Sequence, residues 1–185
     1  EIIKDVNHLY VFQRTPHYTV PARNNPLKYS RDNTLDNPRA PIGYDDDLYV
    51  EEVKTHYSNF RLKAQNSVAA LALPINEESA LEVSKYRRNE VYEDRWEKGG
   101  VPFIAAFQDL NFNRQANETA AEFVRSKIKT LVNDHKTAEM LTPTYPIGCK
   151  RLAVDSNYYE TFNKTNISLI DLNTEPLDEF ITNGM

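Results

Sequence analysis

Glycine scarcity constrains this chain more than any other feature. Five glycines occur in 185 residues (Gly43, Gly99, Gly100, Gly148 and Gly184), and only Gly99 and Gly100 are neighbours. A loop that cradles a pyrophosphate or triphosphate needs glycines at fixed spacing, so that backbone N–H groups can approach the phosphates. No such loop can be assembled from these five. Metal chemistry is equally limited. His8, His17, His56 and His135 are scattered without HExxH spacing, and the single Cys149 offers no zinc-binding partner.

A chain of this length reads as one domain, or one domain with a large insertion, and can bury about 70% of its unfolded surface. The longest apolar run, Val68 to Leu73, is far shorter than the roughly 20 residues of a membrane-spanning helix. A net charge of −5 argues against a nucleic-acid binder. One cysteine excludes an internal disulfide and suits a reducing compartment, so a cytoplasmic location is expected. The sequence starts at Glu1, shows no apolar leader, and stops at Gly184-Met185 after a strand-like stretch. The expectation is a segment of a longer polypeptide.

Local pattern predicts strands at the two ends and helices between. The opening residues read as the tail of a helix. Leu9 to Gln13 follow as a strand, which Pro16 forbids from continuing. Arg23 to Gly43 has loop chemistry. Asp45 to Asp47 open a helix whose apolar stripe is Tyr49, Val53, Tyr57, Phe60 and Ala64. A second helix is expected from Glu78 to Lys98, stopped by Gly99-Gly100. The clearest stripe, Ala116, Ala120, Phe123, Val124, Ile128 and Leu131, predicts a third. A short helix over Lys136 to Leu141, with Asp134 as cap, and strands at Ile167 to Leu172 and Glu179 to Thr182 complete the reading. The fold class is α/β, with the helices inserted into or between sheets.

Two basic sites are candidates for anion binding. Arg14-Thr15 follows the first strand, at the carboxyl end where open α/β sheets collect ligands, and Lys150-Arg151 follows the turn Tyr145 to Gly148. Arginine offers a planar fork for phosphate and Thr15 a hydroxyl donor. By itself, Arg14 reads as a solvated strand-end cation. Cys149 has cationic neighbours that would activate a thiol, but no adjacent histidine, and a small buried filler is the ordinary reading. Asp155 with Glu160, or Asp171 with Glu175, carry little weight among 27 acidic residues. Tyr158, Tyr159 and Phe162 read as packing residues. Asn117, Asn163 and Asn166 open N-x-[ST] sequons for which no leader argues glycosylation.

Three segments carry a resemblance. VFQRTPHYTVPARNNPL, WEKGGVPFIAAFQDLNFNRQANETAAEFVRSKI and PIGCKRLAVDSNYYETFNKTNISLIDL resemble, in colinear order, parts of the type I Baeyer–Villiger monooxygenases, on their ketone-oxidising branch. The resemblance implies that residues 1–26 end an NADPH-binding domain, 27–142 form a helical insertion, and 143–185 return to Rossmann-like FAD- and NADPH-binding domains. The implied activity is insertion of one oxygen atom of O2 into a small ketone through a flavin peroxide, giving an ester or lactone. FAD and NADPH are the implied cofactors. The partner would be the rest of the polypeptide, carrying the glycine-rich loops and the family's histidine-containing fingerprint. The resemblance places Arg14, Thr15 and Lys150 on the 2′-phosphate of NADPH. It makes Arg151 the active-site arginine and a cofactor-binding residue, against a salt bridge from Arg151 to Asp155 or another carboxylate. Oxidation at nitrogen or sulfur, or a non-catalytic helical interaction module, are the competing readings.

Overall fold

The computed structural model describes residues 2–22, 46–66 and 76–182. In chain order the elements are β1 (Leu9–Gln13), β2 (Thr19–Pro21), α1 (Asp46–Gln65), α2 (Lys85–Lys98), α3 (Arg114–Leu131), α4 (His135–Met140), β3 (Ala153–Asp155), α5 (Tyr158–Thr161) and β4 (Ile167–Asp171). The chain divides into two units, one of residues 1–22 with 75–185, the other of residues 23–74. In the second unit α1 begins at Asp46, within the stretch where the sequence predicts a helix start. Of its expected stripe, Tyr57 is exposed; the side chains of Tyr49, Val53 and Phe60, and Asp45, lie outside the described residues.

In the first unit the strands form two parallel pairs. β1 runs beside β4 with Leu9 opposite Ile167 and Gln13 opposite Asp171, and β2 runs beside β3 with Thr19 opposite Ala153. β2 and β3 are three residues each, too short to show the alternation by which a strand is read. The strand expected at Glu179 to Thr182 does not form. Only an isolated bridge occurs at Ile181, and Phe180 and Ile181 are exposed, so neither face of that stretch is packed. The opening helix tail is a single 3-10 turn, Ile2–Lys4. The side-chain amide of Asn166 ties it down by donating to the carbonyls of Ile3 and Val6.

α2 starts seven residues later than its composition suggests. The Ser84 hydroxyl accepts from the Arg87 N–H and caps the helix there. Upstream, Asp109 holds the chain in a turn, accepting from the Ser79 hydroxyl at 2.7 Å and the Ala80 N–H at 3.0 Å. At the other end Gly99 and Gly100 adopt φ of 71° and 78°, which residues bearing a Cβ resist. Gly99 N–H closes α2 onto the Arg95 carbonyl, and Gly100 N–H reaches the Pro21 carbonyl at 2.8 Å. The stop signal therefore also joins helix to strand.

α3 matches its stripe, with Asn113 as cap and Ala116, Ala120, Phe123, Val124 and Ile128 buried. Tyr92 and Trp96 of α2 meet Phe103, Phe107 and Phe123 in an aromatic cluster whose ring centroids lie 5.3 to 6.3 Å apart. Offset and edge-on geometries at this spacing add to the burial of the rings. Asp134 caps α4 by accepting from Thr137 N–H. The sequon asparagines are structural. Asn117 is buried and donates to the carbonyls of Leu110 and Ile147. Asn163 bridges Leu131 and Asn133.

Candidate anion-binding cleft

The site lies where β1 ends. Backbone pairing continues past the strand, with Leu172 N–H donating to the Gln13 carbonyl at 2.8 Å. The Asn173 side-chain amide donates to the Arg14 carbonyl at 2.6 Å, while its own N–H bonds Asp171. The Gln13 amide reaches the Met140 carbonyl at 2.8 Å. The backbone that presents Arg14 is thus held from both sides, independently of the arginine side chain.

An open cleft of about 370 Å³ begins here, lined by Val11 to Thr15, His17, Lys150 and Tyr158. Arg14, Thr15 and Lys150, the first and last of them 136 residues apart in the sequence, are brought to one cavity by the parallel pairing of β1 with β4 and β2 with β3. All three are exposed. Among the described residues no carboxylate lies within ion-pair distance of Arg14, Lys150 or Arg151. The alternative bridge from Arg151 to Asp155 is not formed. A guanidinium, an ammonium and a hydroxyl around one open cleft make a donor set for a dianionic phosphate.

The Arg151 side chain is not among those lining this cleft; what ties Arg151 to it is backbone. His17 Nε2 lies 2.7 Å from the Arg151 carbonyl, and His17 Nδ1 lies 2.7 Å from the Tyr145 hydroxyl. The turn before Lys150 rests on Gly148 at φ 87° and on Cys149 N–H bonding the Pro146 carbonyl. Below it, buried Tyr18 donates its hydroxyl to the Tyr145 carbonyl at 2.9 Å. Burial holds the Tyr18 and Tyr145 hydroxyls above their usual pKa, so both stay protonated donors.

Sequence reasoning missed His17 and Tyr145 as members of the site. The one available signal was His17 standing three residues beyond Arg14 on the same post-strand loop. Cys149 is exposed, correcting the buried-filler reading, since the turn points it outward instead of into the core. Tyr158, Tyr159 and Phe162 do pack on one another, with centroids 5.3 and 5.4 Å apart. Among the described residues Asp155 and Glu160 form no ion pair, and Asp171 is a turn cap. Among the described residues there is no cluster of three metal-ligating side chains.

The chain is similar to stretches of several known proteins. No protein-family model matches the chain. A Baeyer–Villiger monooxygenase of Pseudooceanicola batsensis is 35% identical over 180 residues, 96% of this chain and 30% of that protein. Cyclohexanone 1,2-monooxygenase of Acinetobacter is 34% identical over 96% of this chain and 30% of its own length. A phenazine N-monooxygenase of Lysobacter antibioticus is 33% identical over 98% of this chain and 30% of its length. Among solved structures, an oxidised steroid monooxygenase bound to NADP superimposes with a TM-score of 0.79 at 37% identity, covering 100% of this chain and 33% of that one. The chain thus spans about 30% of the length of the curated relatives it matches. By sequence and by backbone alike, the chain is similar to a segment of the Baeyer–Villiger monooxygenases.

Proposed function

We propose that the protein carrying this chain is an FAD- and NADPH-dependent monooxygenase that converts a small ketone, O2, NADPH and a proton into an ester or lactone, water and NADP⁺. The observation that carries the reading is the convergence of Arg14, Thr15 and Lys150, without carboxylate partners, on one cleft at the end of a parallel strand. That donor set fits the 2′-phosphate distinguishing NADPH from NADH. The chain fits only one end of the cofactor, because its five glycines supply no pyrophosphate cradle. FAD and the remainder of NADPH would be held by glycine-rich loops elsewhere in the polypeptide, and the reduced flavin supplies the chemistry that activates oxygen. Parallel sheets are ordinarily covered on both faces, yet Tyr10 and Phe12 of β1 are exposed at 59% and 37%. This supports β1–β4 as part of a larger Rossmann-like sheet. In chain order α1 to α4 lie between β2 and β3, where a helical insertion over 27–142 would fall. No described helix is long and apolar enough to cross a membrane; a cytoplasmic enzyme is the corresponding proposal.

Arg151 is the proposed catalytic residue. A guanidinium does not release its proton at any working pH, so it stabilises negative charge developing on the ketone oxygen without joining the proton inventory. Arg151→Ala in the full-length enzyme should leave FAD bound and the fold intact while ester formation falls about 100- to 1,000-fold. Arg151→Lys should recover part of the rate. Near wild-type turnover in Arg151→Ala would overturn the assignment. The phenazine N-monooxygenase among the relatives favours a second reading, oxygen transfer to an aromatic nitrogen. The same preparation given a cyclic ketone and an N-heteroaromatic separates the two by product.

A further inference from the structure

Tyr145 contacts Lys150 directly and is linked to Arg151 through His17, without lining the cleft. Its ring face lies under the Lys150 ammonium, with Nζ 5.0 Å from the centroid. Its hydroxyl lies 2.7 Å from His17 Nδ1, and the opposite ring nitrogen lies 2.7 Å from the Arg151 carbonyl. A carbonyl can only accept, so Nε2 carries the proton. In the neutral ring Nδ1 is then the acceptor and the Tyr145 hydroxyl the donor. Two partners therefore fix one tautomer and one ring orientation. The tyrosine itself is anchored from below, where Tyr18 stands edge-on to it at 5.4 Å, with ring planes at 78°.

We infer that Tyr145 is a positioning residue with two separable roles. Its ring face holds Lys150 at the cleft for the phosphate, and its hydroxyl, acting through His17, fixes the backbone from which Arg151 projects. The inference rests on the proposed function of the cleft. It goes further in naming a side chain that reaches neither cofactor nor ketone yet couples cofactor selection to turnover. Tyr145 is only half-buried and the core beneath is filled by Tyr18, so a role in packing alone does not explain the placement of its polar end.

The two roles come apart in two variants of the full-length holoenzyme. Tyr145→Phe keeps the ring and removes the hydroxyl, so kcat for ketone oxidation should fall about 3- to 10-fold with the Kd for NADP⁺ unchanged. Tyr145→Leu also removes the ring, and the Kd for NADP⁺ should rise about 2- to 5-fold while that for NAD⁺ stays constant. Lys150→Ala is measured beside them, with thermal midpoints as a control on folding. If Lys150→Ala loses NADP⁺ affinity while Tyr145→Leu does not, the ring-face role falls and the cleft reading stands. If Tyr145→Phe turns over at the wild-type rate, the hydroxyl role falls. If Lys150→Ala binds NADP⁺ as wild type does, the cleft reading itself fails, and the ring-face role with it.

Discussion

At the scale of single residues, exposed cations are informative chiefly by what they lack. Some arginines find a carboxylate, as Arg87 does with Glu78 and Glu90 and half-buried Arg125 with Glu118. Such pairs are worth little individually, but they satisfy the guanidinium. Arg14 has no such pair among the described residues, and its backbone is clamped by Asn173 instead. Removing the side chain should therefore leave the loop in place, which makes Arg14→Ala a clean measurement. In the full-length enzyme it should weaken NADPH binding about 10- to 150-fold, the equivalent of a charge-assisted hydrogen bond of about 1.5–3 kcal/mol. NADH, lacking the 2′-phosphate, should be nearly unaffected. Lys150→Ala should act in the same direction but more mildly, since an ammonium is a point charge and not a fork. The ratio of kcat/KM for the two nucleotides reads the effect directly, and equal losses for both would remove Arg14 from the phosphate site.

At the scale of elements, β2 is held by a side chain from a distant helix. Thr19 N–H donates to the Tyr159 hydroxyl at 3.0 Å, and that hydroxyl donates to the His17 carbonyl at 3.3 Å. Burial pushes the Tyr159 hydroxyl up to about 12, and burial does the same to Tyr92 of α2. Both values are raised above the ordinary 10.0, so the neutral forms are favoured in the folded state. The stability they contribute is fully present below pH 10, and is lost as pH climbs toward about 12. Denaturant midpoints should accordingly hold to pH 10 and fall steeply above it. Tyr159→Phe should cost about 1–3 kcal/mol at neutral pH, because Thr19 N–H is left buried without an acceptor, and should shallow the alkaline fall. A variant with an unchanged midpoint and an unchanged alkaline limb would show that this tie carries no stability. The same tie shows where sequence reading succeeds and stops. β1, β4, α3 and the caps at Asp134 and Gly99 were legible because each signal lies within one turn or one strand length. β2, β3 and the His17–Tyr145 link were not, since their partners lie 128 to 140 residues away, and three-residue strands carry no period. The start of α2 was misread because Ser84 and Asp109 override a composition that favours helix further upstream.

At the scale of the whole molecule, the proposed site is one-sided: its donors suit one end of a dinucleotide, and the sequence offers no glycine cradle for the centre. Cationic and hydroxyl donors converge on the cleft from both ends of the sequence, which suits a terminal phosphate. A dinucleotide also needs its central pyrophosphate neutralised by backbone N–H groups at a helix start, and that requires glycines where the backbone meets the phosphates. Of the five glycines, Gly99, Gly100 and Gly148 are committed to positive-φ turns in the joints between elements. The other two, Gly43 and Gly184, stand too far apart in the sequence to form a phosphate loop of the required spacing. The 185 residues expressed by themselves should therefore retain no FAD and should not consume NADPH, even where the first unit folds and the cleft forms. Purification should give a colourless protein, and NADPH absorbance should stay constant in air. Stoichiometric yellow flavin bound to the isolated, refolded chain would overturn the argument, because it would mean that a dinucleotide can be held here without the glycine-dependent contacts on which the reasoning depends.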